Sequence, residues 1–278
     1  MRQYVAPMPE GDTIHRTAAA LRRALLDRRL TRVELPRIPL PHPAIGATIA
    51  RIEARGKHLL VHASDGLVVH THQRMTGAWH LYRPRERWRK SPRAARVVLG
   101  VEGGGGGAGV VAVCFAAPVV AVLAAEDLAR HPTLRRLGPD LCDPQVDLDA
   151  AAERLGRFSP PDRTIGEALL DQRIACGVGN VYRSDVLFLH GLAPDTPVAA
   201  VSKHQRRAVL ATASDLLRAN LDGGDRTTVD GAPAGSLWVY GRGGEPCRRC
   251  GTPILRSVLG EQARSVYHCP ACQRRAAA

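Results

Sequence analysis

A chain of 278 residues with 39 Lys and Arg against 26 Asp and Glu carries a net charge of +13, which excludes an acidic solvating protein and makes a polyanion, nucleic acid first, the natural partner. With 45% hydrophobic and 23% charged residues it buries a core and is not disordered, and no apolar run reaches the length of a membrane span. The seven cysteines are too sparse for a secreted disulfide scaffold, and Met1–Pro7 lacks the hydrophobic segment of a secretory signal. A reducing, cytoplasmic setting is the expectation.

Asp12 or Thr13 can cap a first helix, in which Ile14, Ala18, Leu21 and Leu25 recur on one face. From Leu30 onward the pattern turns to short strands: Thr31–Leu35, Thr48–Ala54, His58–His62, Gly66–Thr71, Ala95–Val101 and Val110–Phe115. Strands at this spacing suggest a β-sandwich with the first helix packed on it. The Gly103–Gly107 run reads as a hairpin tip; no Lys-Ser/Thr follows, so it is not a phosphate-binding loop. His131-Pro132 through Cys142-Asp143-Pro144 reads as a linker. Helical patterns follow over Leu148–Leu155, Thr164–Leu170, Tyr182–Leu189 and Ser202–Leu221, then a loop over Gly223–Gly235.

Cys247 and Cys250, then eighteen residues, then Cys269 and Cys272 have the spacing of a four-thiolate zinc ribbon. A two-residue gap lets both thiolates of a knuckle reach one tetrahedral ion, and strands over Pro253–Leu259 and Ala263–His268 bring the knuckles together. Four thiolates close the coordination sphere, so the expected ion is one structural Zn2+ with no part in chemistry. The hairpin is basic, with Arg248, Arg249, Arg256, Arg264, Arg274 and Arg275.

Met8-Pro9-Glu10-Gly11-Asp12, Arg55-Gly56-Lys57-His58, Gly177-Val178-Gly179-Asn180-Val181-Tyr182 and the two-knuckle ribbon ending in Gln273 occur in that order. Together they resemble the Fpg/Nei family of DNA glycosylases, and the Pro-Glu-Gly-Asp opening is most similar to its endonuclease VIII branch as found in actinobacteria. The resemblance implies an α+β fold: an N-terminal β-sandwich with flanking helices, a helix–two-turn–helix domain and a C-terminal zinc-ribbon hairpin. It divides the chain into an extension over 1–8, a catalytic domain over 9–130, a linker over 131–147, a DNA-binding helical domain over 148–240 and a zinc finger over 241–275.

The resemblance implies a base-excision-repair enzyme that removes oxidised bases from damaged double-stranded DNA and then cleaves the abasic site. Single-stranded or bubble DNA is a further expected partner; the protein is expected to act as a monomer, away from any membrane. Pro9 supplies the nucleophilic imino nitrogen, which attacks the sugar C1′ and forms an iminium that labilises the base and then the phosphate. Glu10 is the general acid/base; read without the resemblance, it is a first-turn glutamate favoured by the dipole of the first helix. Lys57 contacts phosphate and assists β-elimination; Arg264 grips the phosphates beside the lesion and assists δ-elimination, a task suited to a guanidinium fork. Asn180 grips phosphate and also caps a helix starting at Val181. Met75 with Arg74 fills the gap left by the flipped base, and Arg136 adds a phosphate contact.

Three departures qualify the match. Pro9 is internal as written, and a proline nitrogen inside a chain is a tertiary amide without nucleophilicity, so translation is expected to begin at Met8 with that methionine removed. Asp185 stands where the family has Glu. Cys114-Phe115-Ala116-Ala117-Pro118 lacks the Arg-Phe pair of the purine-lesion branch, which with Gly11 points to oxidised pyrimidines over 8-oxoguanine or formamidopyrimidine. Two alternatives stand beside this reading: a non-catalytic binder of damaged DNA on the same scaffold, and a zinc-ribbon transcription or RNA-processing factor.

Overall fold

The computed structural model describes residues 9–103, 107–157, 160, 162–261 and 263–274. The extension over 1–8, the centre of the glycine run and Arg275 lie outside the described residues. The chain forms two compact units, one over Thr13–Arg136 and one that joins residues up to Asp12 to everything from Leu137 on.

Helix α1, Gly11–Leu25, runs from the second unit into the first. Ile14, Ala18, Leu21 and Leu25 are 0–1% exposed, as their spacing requires. They pack on eight strands: β1 Leu30–Glu34, β2 Ile49–Arg55, β3 His58–Ala63, β4 Leu67–His72, β5 Ala78–Tyr82, β6 Ala95–Val101, β7 Val110–Phe115 and β8 Val119–Ala124. The strands form two antiparallel four-stranded sheets, ordered β1-β6-β7-β5 and β2-β3-β4-β8. Leu59, Val61, Val69, Val97, Leu99 and Ala112 fill the core between sheets and helix.

Two strands escape the sequence reading. β8 is hidden because Val110–Ala124 reads as one apolar run; the break is at Ala116, whose φ of 50° turns the chain into Pro118. β5 is only half-buried on most of its length and carries no clean alternation, yet it pairs with β7 from Ala78 opposite Phe115 to Tyr82 opposite Val111.

In the other unit, α2 Leu148–Arg157, α3 Ile165–Ala168, α4 Asn180–Leu189 and α5 Lys203–Ala219 surround a core of Ala152, Leu155, Tyr182, Val186, Leu210 and Leu217. Thr164 and Ser202 start α3 and α5 with reciprocal capping boxes to Glu167 and Gln205. β9 Leu255–Leu259 and β10 Arg264–His268 form the expected hairpin. The segment at 138–142 is packed rather than loose: Leu141 and Cys142 are buried, and Ser214 Oγ donates to the Leu141 carbonyl at 2.7 Å. No helix among the described residues is long and apolar enough to cross a membrane.

Candidate active site

The second unit gathers the two ends of the sequence. Gly11 donates its backbone N–H to the Gly177 carbonyl at 2.8 Å, and a Cβ at Gly11 would lie 2.8 Å from the Gly177 Cα, so glycine is required there. The helix therefore starts at Gly11, and neither Asp12 nor Thr13 caps it as expected; the first N–H is satisfied from residue 177 instead.

Asn180 does not cap α4 either. The N-cap is Gly179, which has no side chain to offer, and Asn180 is the first helical residue. Glu10 fills the role: its carboxylate accepts from Gly179 N at 2.6 Å and Val181 N at 2.9 Å. A glutamate from the far end of the chain thus sits on the positive end of α4, not of α1. Gly179 is obligatory for this contact, because a Cβ there would fall 2.3 Å from the Glu10 Cδ. Glu10 is 1% exposed, and Pro9 beside it is half-buried.

Arg226 completes the surroundings of Glu10. Its Nη1 lies 3.7 Å from Glu10 Oε1, its Nε and Nη2 bind both oxygens of Asp12, and its guanidinium stacks 5.0 Å from the Tyr182 ring. Burial alone would favour loss of its proton, but Glu10 and Asp12 outweigh it and raise its pKa. Asp185, fully buried, shapes the loop that delivers Arg226: it accepts from the Thr228 hydroxyl and from the backbone N–H groups of Trp238, Val239 and Tyr240. Burial pushes the Asp185 carboxyl up despite these four donors. The short carboxylate does not loosen α4, because the loop closes onto it.

Arg264 is exposed at the start of β10. Behind it the wholly buried Arg183 donates to the Ser265 carbonyl at 2.7 Å, tying the hairpin to α4. Burial, with the charge of Arg264, pulls the Arg183 guanidinium down to about 10. The four cysteines converge: all Sγ atoms lie within 4.8 Å of one another, with Cys247–Cys272 at 3.9 Å and Cys250–Cys269 at 3.5 Å. Thiolates at 2.3 Å from a tetrahedral ion are about 3.8 Å apart, so the cluster fits a metal ion. Gly251, at φ 78°, makes the knuckle turn, and Arg249 covers the Phe188 ring at 4.5 Å.

The first unit holds the remaining expected residues. Lys57 follows Gly56, whose φ is 54°, in the β2–β3 turn. Its charge acts on His58 and His72, and that of Arg74 also acts on His72. Burial first, then the neighbouring imidazoles for His58 and His70 and these cations for His58 and His72, pull His58 down to about 3 and His70 and His72 to about 4, so the imidazoles stay neutral at pH 7. Arg74 has φ 46° and donates its backbone N–H to His72 Nδ1, while Met75 is 61% exposed at the loop tip. Arg136 is exposed at the end of the turn over Leu134–Arg136.

Pro9, Glu10, Asn180 and Arg264 thus belong to one unit, and Lys57, Arg74, Met75 and Arg136 to the other. Sequence reasoning missed Arg226, Asp12 as its partner, Tyr182 and Arg183. Arg226 sits in a glycine-rich loop without a motif. Arg183 gave no signal either, because Asn180, Ser184 and Asp185 make the start of α4 polar in sequence.

Two family models match: the formamidopyrimidine-DNA glycosylase N-terminal domain over residues 8–108, and the formamidopyrimidine-DNA glycosylase H2TH domain over residues 137–230. The probable endonuclease 8 2 of Streptomyces coelicolor is 40% identical, covering 96% of this chain and 94% of that protein. The DNA-(apurinic or apyrimidinic site) lyase Nei2 of Mycolicibacterium smegmatis is 39% identical, covering 96% and 99%. Among solved structures, MutM (Fpg) from Thermus thermophilus superposes with a TM-score of 0.77 at 28% identity, covering 96% of this chain and 99% of that one. The sheet-and-helix architecture, the Pro9-Glu10 pair set against the Gly177–Asn180 turn and these matches place the chain in the formamidopyrimidine-DNA glycosylase/endonuclease 8 family.

Proposed function

We infer that this protein is a bifunctional DNA glycosylase and abasic-site lyase of base excision repair, acting on damaged double-stranded DNA through Pro9 and Glu10. The observation that carries this reading is the Glu10 carboxylate, buried directly after Pro9 and fixed by two backbone N–H groups at the head of α4. A carboxylate has about four lone-pair sites. Gly179, Val181 and Arg226 address three, which leaves room to exchange a proton with a substrate.

The chemistry requires a secondary amine, so the active chain starts at Pro9; the match to the N-terminal family model begins one residue earlier, at 8. The Pro9 nitrogen bonds to the sugar C1′ as the glycosidic bond breaks and the base leaves with a proton. Glu10 delivers a proton to the ring oxygen as the ring opens, giving the iminium. Loss of the C2′ proton expels the 3′ phosphate and a second elimination expels the 5′ phosphate. Lys57 assists the first and Arg264 the second, and hydrolysis of the iminium returns Pro9. Asn180 holds phosphate at the head of α4 through its Nδ2–H group, since a phosphodiester oxygen only accepts. Arg136 adds a phosphate contact, and Met75 with Arg74 fills the gap under the flipped base.

The four cysteines hold one structural Zn2+, which supplies folding energy to the finger over 241–275 and takes no part in bond breaking. Residues 148–240 form the helix–two-turn–helix DNA-binding domain. Oxidised pyrimidines are the preferred lesions, with single-stranded or bubble DNA as further substrates, in a monomer that works in the cytoplasm. Phe115 supports this lesion choice: it is 0% exposed in an aromatic cluster with His80 and Trp88, so it is not available as a wedge into DNA.

Borohydride trapping on abasic DNA tests the reading. Protein starting at Pro9 forms a covalent adduct, and protein retaining residues 1–8 forms none. Equal trapping by both would assign the nucleophile to another amine. Single-turnover release of thymine glycol is expected to exceed that of 8-oxoguanine opposite cytosine; the reverse order overturns the lesion choice alone.

A further inference from the structure

The segment joining β5 to β6 holds six cations within eleven residues: Arg83, Arg85, Arg87, Arg89, Lys90 and Arg93. All six side chains are exposed. Glu86 is the one carboxylate in the segment, and it accepts from the Arg83 backbone N–H at 2.8 Å. None of the six makes an ion pair among the described residues.

Such a run would ordinarily be a floppy, solvated loop, but this one is built. Trp88 packs edge-on to the buried Phe115 at 5.6 Å and beside Tyr82 at 6.2 Å. The Arg89 backbone N–H donates to the Tyr82 hydroxyl at 3.2 Å, and the segment ends in a tight turn over Pro92–Ala94. Arg32 adds its guanidinium over the Trp88 ring at 5.7 Å. The field is felt nearby: after burial, the charges of Lys90 and Arg89 hold His80 below the ordinary imidazole range. Holding six like charges in place works against their mutual repulsion, which a polyanion relieves.

We propose that the segment over 83–93 is a second nucleic-acid surface, engaging the phosphate backbone of a stretch of DNA other than the one at the lesion site. It lies at the opposite end of β5 from the 73–77 loop, and a five-residue strand separates the two by roughly 13 Å. Its cations address phosphate, a contact that carries no sequence information. Its function is to keep the protein on DNA while the lesion site changes segments. This inference rests on the glycosylase reading for its biological use, not for its chemistry.

The test is titration of the full chain with a fluorescent, undamaged duplex of about 12 base pairs at low salt. The wild type binds two duplexes. The variant Arg85→Gln/Arg87→Gln/Arg89→Gln/Arg93→Gln binds one, and its overall slope of log affinity on log salt flattens by roughly 3–4. Excision of an oxidised base from a short duplex at saturating protein stays at the wild-type value, and the melting temperature without DNA does not fall. One duplex per wild-type chain, or two on the variant, overturns the proposal, including the case in which the loop prefers RNA or an acidic protein. Absence of excision from both proteins, with the stoichiometry changing as stated, sinks the glycosylase reading and leaves the surface standing.

Discussion

Arg226 closes a two-pronged grip on Asp12, Nε to Oδ2 at 2.9 Å and Nη2 to Oδ1 at 2.6 Å, and both side chains are almost wholly buried. Planar guanidinium and carboxylate match in this fork, and a lysine would not reproduce it. Because the same guanidinium faces Glu10, the pair fixes the charge next to the proposed acid.

Arg226→Ala takes the guanidinium away from a buried carboxylate, which costs about 3–5 kcal/mol. Arg226→Lys restores part of the stability but not base excision, because the single ammonium cannot hold Asp12 and face Glu10 together. Denaturant melts and single-turnover excision separate the two effects. An alanine variant within about 1 kcal/mol of wild type would show the pair to be incidental.

Glu10→Gln separates chemistry from capping. One amide oxygen still accepts from the head of α4, so DNA affinity stays near wild type, while excision of an intact damaged base falls by at least about a hundredfold. Parallel loss of binding and excision would reduce Glu10 to a helix cap. Arg264→Ala differs in kind: it weakens binding and flattens the salt slope by about one phosphate contact.

Metal removal acts on the hairpin. Chelation, or Cys250→Ser, unfolds β9 and β10 and abolishes DNA binding, since without the knuckles only a few apolar contacts and tethers such as the Arg183 bond to the Ser265 carbonyl hold so small a unit. Circular dichroism and anisotropy on the stripped protein check this; unchanged affinity would take the finger out of the binding surface.

Acid sensitivity follows from the histidines. His58 and His70 are hydrogen-bonded at 2.9 Å, and with His72 they titrate at about 3 to 4 in the folded chain. The unfolded chain takes up these protons near pH 6.5, so it binds more protons than the fold below that value. Their effect is absent above about pH 7 and destabilises as pH falls from 6.5 toward 4, by up to about 1.4 kcal/mol per pH unit for each. His131, whose ring lies 5.5 Å from that of His70, and the cations Lys57 and Arg74 complete the surroundings. Denaturant melts between pH 7.5 and 5 read the slope, and a double change of His58 and His70 to Phe flattens it; an unchanged slope would place the acid-labile group elsewhere.

Most of the architecture was legible in the residues. Periodicity set the first helix, short apolar runs bounded by turn residues set six of eight strands, and the cysteine spacing announced the hairpin. β8 was hidden because an apolar run gives no sign of where it folds back, and the turn depends on one alanine in an unusual conformation. The capping expectations failed for one reason: Asp12 and Asn180 have the right chemistry for local caps, but distant groups took those positions. Local rules cannot anticipate a carboxylate arriving from 169 residues away.

That distance has a consequence for how the protein is made. Residues 10–12 reach their partners only across 169, 171 and 214 positions of sequence, at Gly179, Val181 and Arg226. The sandwich over Thr13–Arg136 leaves the ribosome long before Arg226 is synthesised, and it can fold early. The proposed nucleophile and acid, Pro9 and Glu10, stay unassembled until translation is nearly over, so on that reading a truncated or stalled chain carries a folded sandwich with no means of cutting DNA.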